Sequence, residues 1–66
     1  MWYSLDEIPE EENDHLLLLT KQGFLLIGAF FENKFYYQVI QDNIFIFKQI
    51  TPQLEIIKYT FVWDMK

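Results

Sequence analysis

Eight consecutive residues, Phe24 to Phe31 (FLLIGAFF), carry neither a charge nor a polar side chain, and the rest of a 66-residue chain has to be arranged around them. In a strand, successive side chains point to opposite sides. Phe24, Leu26, Gly28 and Phe30 then share one face, and Leu25, Ile27, Ala29 and Phe31 the other. Both faces are apolar, which predicts a strand covered on both sides. The run is short for a helix, and its Phe and Ile content favours a strand. Gly28 leaves room for a large group to pack over it. An aromatic ring from a neighbouring strand is the ordinary occupant, and a ligand ring or a partner side chain the sharper alternative.

The same grammar continues along the chain, with short apolar runs broken by turn residues. Leu16 to Thr20 reads as a first strand, followed by a Lys21-Gln22-Gly23 turn in which Gly23 is suited to positive φ. After the Phe24–Phe31 strand, Glu32-Asn33 forms a two-residue loop and Lys34 to Gln41 a third strand. Asp42-Asn43 is another tight turn, Ile44 to Gln49 a fourth strand, and Thr51-Pro52-Gln53 a break. Leu54 to Trp63 is the fifth strand, with Ile57, Tyr59, Phe61 and Trp63 on one face. Loops this short make consecutive strands neighbours. The fold class is therefore all-β: a small five-stranded antiparallel meander or barrel-like sheet over residues 16–63, within one domain spanning 1–66.

Residues 1–15 differ from the rest and read as an acidic loop or short helical turn. Ser4 and Glu7 have the spacing of a capping box, and Pro9 interrupts any longer helix. Asp6, Glu7, Glu10, Glu11, Glu12 and Asp14 lie here, six of the ten acidic residues of the chain. A solvated, solubilising loop is the ordinary reading of such a run. The functional reading is an acidic patch that meets a basic partner or imitates nucleic-acid phosphates.

Composition bounds the function. The net charge is −5 and every basic residue is a lysine. That argues against ordinary nucleic-acid binding, which needs cationic phosphate contacts and often bidentate Arg. There is no Cys and a single His15, so no disulfide, thiolate zinc site or His-rich metal site can staple so small a domain. No cofactor and no metal are expected. Thirteen aromatic residues are more than a small core comfortably encloses. Some are expected at an interface, and Tyr36, Tyr37, Phe45 and Phe47 are the candidates for self-association as a homo-oligomer. The acidic N-terminus does not read as a signal peptide, and no apolar run approaches the ~18 residues of a membrane helix. A cytoplasmic location and no membrane partner are the corresponding expectations.

The overall pattern resembles a phage and prophage family, the DUF551 domain family. The residues that carry the resemblance are Trp2, Ser4, Leu5, Pro9 and Glu10 at the start, Leu16 to Leu19, Gly28, Phe30 and Phe35 in the middle, and Thr60 and Trp63 at the end. The family usually follows its tryptophan with a Pro-rich tail, whereas here Asp64, Met65 and Lys66 follow. The resemblance implies a small, phage-encoded β domain and little chemistry.

No catalytic set is present, so no enzyme activity is expected. Ser4 and His15 are separated by the acidic loop, and the two glycines stand apart, so neither an activated nucleophile nor a phosphate loop is formed. Glu10, Glu12 and Asp14 lack the glycine and alternating spacing of a calcium loop. The function these features favour is a small non-catalytic protein-interaction module, such as a phage-encoded inhibitor of a host enzyme or defence system. Its partner would be a host protein with a basic groove, a nucleic-acid-processing one being the natural fit. Trp2, Tyr3, Glu10, Glu11, Glu12 and Asp14 are the candidate contacts. An oligomeric nucleotide-signal binder using Lys34, Lys48 or Lys58, and a structural self-associating subunit, are the alternatives.

Overall fold

The computed structural model describes residues 1–64. It contains five strands: β1 (Asn13–Thr20), β2 (Leu25–Phe31), β3 (Lys34–Gln41), β4 (Ile44–Gln49) and β5 (Ile56–Phe61). Short 3₁₀ turns at Pro52–Leu54 and Val62–Asp64 flank β5. All neighbouring strands are antiparallel, in the order β4-β3-β2-β1-β5. β1 to β4 form the expected antiparallel meander, but β5 departs from it: the chain crosses back after β4 and β5 pairs with β1, so the last two strands are not neighbours. The sheet does not close into a barrel, so β4 and β5 are its two edges.

The turns follow from their residues. Glu32 and Asn33 have φ of 50° and 63°, and Asp42 and Asn43 have 53° and 63°. Two successive left-handed residues define the type I′ turn, whose twist matches that of the strands it joins. Gly23 takes φ of 96° in the β1–β2 turn. At the N-terminus the capping-box spacing yields a single turn rather than a helix. The Glu7 N–H donates to the Ser4 carbonyl at 3.0 Å, and the Asp6 N–H to Ser4 Oγ at 3.2 Å.

The sheet curls around one small core. Leu16, Leu18, Phe30, Phe35 and Tyr59 are buried together, with Tyr3, Leu5, Ile50 and Ile56 packed against them. In a flat sheet, β3 and β5 would lie roughly 14 Å apart, three strand spacings. Instead the rings of Phe35 and Tyr59 are 5.1 Å apart, centroid to centroid. The bend falls in β2. Leu25 to Gly28 pair with β1 in unbroken register and Gly28 to Phe31 pair with β3; beyond the glycine β1 pairs with β2 only across a register shift, Asn13 with Phe30. A Cβ on Gly28 would lie 2.7 Å from Leu18 Cγ and 3.0 Å from the Tyr36 carbonyl oxygen. The space over Gly28 is therefore filled by an aliphatic side chain of β1, not by an aromatic ring or a ligand.

Three expectations need correction. β2 is not covered on both sides along its length: Gly28 and Ala29 are buried, but Leu25 and Ile27 are each 52% exposed. β1 begins three residues earlier, at Asn13, and takes in His15. The fifth strand is shorter than Leu54–Trp63, because Pro52–Leu54 and Val62–Asp64 form 3₁₀ turns at its ends. Among the described residues, no helix is long and apolar enough to cross a membrane.

Candidate functional site

The N-terminal segment is strapped across β5 by its backbone. The Tyr3 N–H donates to the Tyr59 carbonyl at 2.7 Å, and the Tyr59 N–H returns to the Tyr3 carbonyl at 2.9 Å. This bridge puts the Tyr3 ring on the core side of the sheet, stacked on Tyr59 at 5.5 Å and edge-on to Phe61 at 5.6 Å. Phe61 in turn stacks on Trp63 at 5.0 Å, with the ring planes 16° apart. The alternation of β5 aims Tyr59 and Phe61 to one side, and the following 3₁₀ turn presents Trp63 beside them.

These four rings form the floor of an open cleft of about 490 Å³. Its rim is acidic: Glu7, Glu10 and Glu11 line it, with Ile8, Pro9 and Asn13 between them. The acidic loop and the aromatic end of β5 are more than 40 residues apart in sequence, and the Tyr3–Tyr59 bridge brings them together. The Tyr59 hydroxyl donates to the Glu7 carbonyl, fixing the rim to the floor. Burial, reinforced by the negative charge of Glu7 and by Tyr3, pushes the Tyr59 phenol above the ordinary tyrosine value. Tyr59 is therefore neutral at physiological pH, and the negative potential of the cleft comes from its glutamates.

Of the candidate contacts, Tyr3, Glu10 and Glu11 line this cleft. The other three lie elsewhere. Trp2 points the opposite way from Tyr3 and carries the Lys58 ammonium over its ring at 5.4 Å. The Glu12 carboxylate accepts the Glu32 N–H at 3.0 Å and ties the loop to the β2–β3 turn. Asp14 is paired with His15 Nδ1 at 2.5 Å, and both side chains are exposed. Glu7, Phe61 and Trp63 are cleft residues that the sequence reading did not select. The signal for two of them was present: Tyr59, Phe61 and Trp63 share one face of the expected last strand. What sequence could not supply was the bridge that sets Tyr3 and the glutamates over that face.

The four residues expected at a self-association surface do not form one patch. Tyr36 and Phe47 lie on the face away from the core, where the Phe31 ring is 6.2 Å from each of theirs. Phe45 lies opposite Ile40 on that same face. Tyr37 points the other way and packs against the core. The lysines do not converge either: Lys58 sits on Trp2, Lys48 lies opposite Tyr37 on the core side of β4, and Lys34 follows the β2–β3 turn. Among the described residues, no group of three or more acidic or histidine side chains could hold a metal ion.

No family model, curated protein or solved structure matches this chain.

Proposed function

We propose that this protein is a non-catalytic interaction module that holds a basic segment of a partner protein in the aromatic cleft. One observation carries the reading: the cleft joins four aromatic rings to a rim of three glutamates. Aromatic faces and carboxylates together suit a Lys or Arg side chain, by cation–π attraction on the rings and by ion pairing at the rim. Trp63 is 57% exposed in the free chain and supplies the large, partly desolvated anchor that interface hot spots use. The glutamates speed encounter with a basic surface.

An acidic cleft repels phosphate, and the dispersed lysines offer no phosphate clamp, so the same geometry favours protein binding over a nucleotide-signal sponge. A phage-encoded inhibitor of a nucleic-acid-processing host enzyme would use such a cleft against a basic groove. The phage origin is carried by the motif resemblance, and the binding chemistry does not depend on it.

The test is capture of partners from host lysate by the wild-type protein and by a Glu10→Lys/Glu11→Lys variant. The captured proteins are then titrated against both by calorimetry. The reading expects binding that weakens with salt and drops at least tenfold in the reversed variant. A partner bound equally by both proteins would place the interaction elsewhere.

A further inference from the structure

The two edges of the sheet are treated differently. The β5 edge is covered by the chain itself, through the Tyr3–Tyr59 bridge and through Thr60 Oγ1, which donates to the Met1 carbonyl. β5 also carries an irregularity in its pairing with β1. The β4 edge has no such protection. β4 pairs with β3 in unbroken register from Tyr36↔Gln49 to Gln41↔Ile44, with no bulge, Pro or Gly. Among the described residues, no other strand pairs with it. Ile44, Phe45 and Phe47 are 61%, 67% and 42% exposed. A regular, apolar, open edge is a template for another strand.

We propose that β4 is a strand-addition site whose occupant is β4 of a second copy, running antiparallel about a two-fold axis. Backbone direction fixes which groups are on offer. The Ile50 N–H donates to the Phe35 carbonyl at 3.1 Å, so even-numbered positions here bond inward to β3. Alternation along the ladder then turns the N–H and C=O of Phe45, Phe47 and Gln49 to the open edge. Setting Phe45 opposite Phe47 of the second copy, and the reverse, makes two hydrogen-bonded pairs, about four main-chain bonds. It also places two cross-strand Phe–Phe pairs on one face.

Charge selects both the second copy and the antiparallel direction. Asp42 lies in the turn before β4, and Lys48 near its end, roughly 20 Å along the strand. Neither has an ion-pair partner among the described residues. In this register Lys48 faces Ile44 of the second copy, within reach of that copy's Asp42, and symmetry repeats the pair. A parallel arrangement would set like charges beside one another. β4 itself contains no acidic residue, so the chain's net charge of −5 is not concentrated at the contact.

The experiment is molar mass by light scattering or sedimentation from about 10 µM to about 1 mM, a range suited to a small interface of this kind. The wild type is expected to pass from monomer towards dimer. Phe47→Pro removes an outward N–H without touching the β3 ladder, and should stay monomeric with an unchanged far-UV spectrum. Lys48→Glu should weaken the dimer about tenfold, as two symmetric ion pairs become repulsive. Lys48→Glu combined with Asp42→Asn should recover part of that loss. A wild type monomeric up to ~1 mM, or a Lys48→Glu protein that dimerises as well as wild type, overturns the proposal. So does a folded Phe47→Pro protein that still dimerises.

Discussion

Gly28 is paired on both sides, with Leu16 of β1 and Tyr37 of β3, at the point where the regular β1–β2 register ends, and its missing side chain leaves room for Leu18. An added methyl would meet Leu18 Cγ at 2.7 Å on one side and the Tyr36 carbonyl at 3.0 Å on the other. Leu18 is fully buried and the carbonyl belongs to the ladder, so neither yields cheaply. Gly28→Ala should destabilise the fold by about 1–3 kcal/mol, the usual range for overpacking. The penalty should shrink when Leu18→Ala is made as well, because the pair is in contact and its energies are then not additive. Urea unfolding of the two single variants and the double variant measures that coupling. Tyr59 gives a second prediction at this scale. Its folded-state phenol is raised by burial, by Glu7 and by Tyr3, so the native state holds its proton more tightly than the unfolded chain does. The sign follows from linkage. The stabilisation is fully present below the unfolded value of about 10, and is lost as pH rises from there through the folded value. Unfolding free energy should be flat with respect to this group near neutrality and fall above pH ~10. Tyr59→Phe should remove that alkaline fall, while costing about 1 kcal/mol at neutral pH for the bond to the Glu7 carbonyl.

Among the elements, the strands joined by two-residue turns were the most legible in the sequence. The bounds of β3 and β4 follow directly from Glu32-Asn33 and Asp42-Asn43, because residues that tolerate positive φ leave the chain little choice but a hairpin. The ends of β5 were not legible. Pro52 opens a 3₁₀ turn that Glu55 closes in the left-handed region at φ 53°, and no pattern of apolar residues marks that conformation. The cleft was half legible for a related reason. Its rings and its glutamates are visible as composition, but their meeting depends on the Tyr3–Tyr59 bridge, a contact across 56 residues with no local signature. That strap supports a prediction of its own. Deleting residues 1–5 removes both bridge hydrogen bonds and the Tyr3 ring from the stack on Tyr59 and Phe61. The loss should be about 2–4 kcal/mol, from two backbone bonds and one buried aromatic contact. It should also bare the β5 edge, so the truncated protein should associate more readily than the full chain. Thermal melts and scattering on the same sample report both effects.

At the scale of the whole molecule, charge and apolar surface are segregated. Asp6, Glu7, Glu10, Glu11, Glu12 and Asp14 crowd the strap and the start of β1, and among the described residues the one carboxylate in contact with a basic side chain is Asp14, beside His15. Carboxylates gathered with so few counter-charges repel one another and oppose the compact state. Added salt relieves that repulsion once the Debye length falls to about the spacing of the charges. Raising KCl from about 20 mM to about 500 mM should therefore raise the melting temperature by several degrees, since ~1 kcal/mol corresponds to about 4–8 °C for a domain of this size. Glu10→Gln/Glu11→Gln should melt higher than wild type at low salt and respond less to added KCl, although it removes no contact from the core. The same variant should bind a basic partner less well. Stability gained and affinity lost in one substitution would identify the rim as charge held against the fold for binding. A melting temperature that stays level or falls with KCl would return those glutamates to a merely solvated loop.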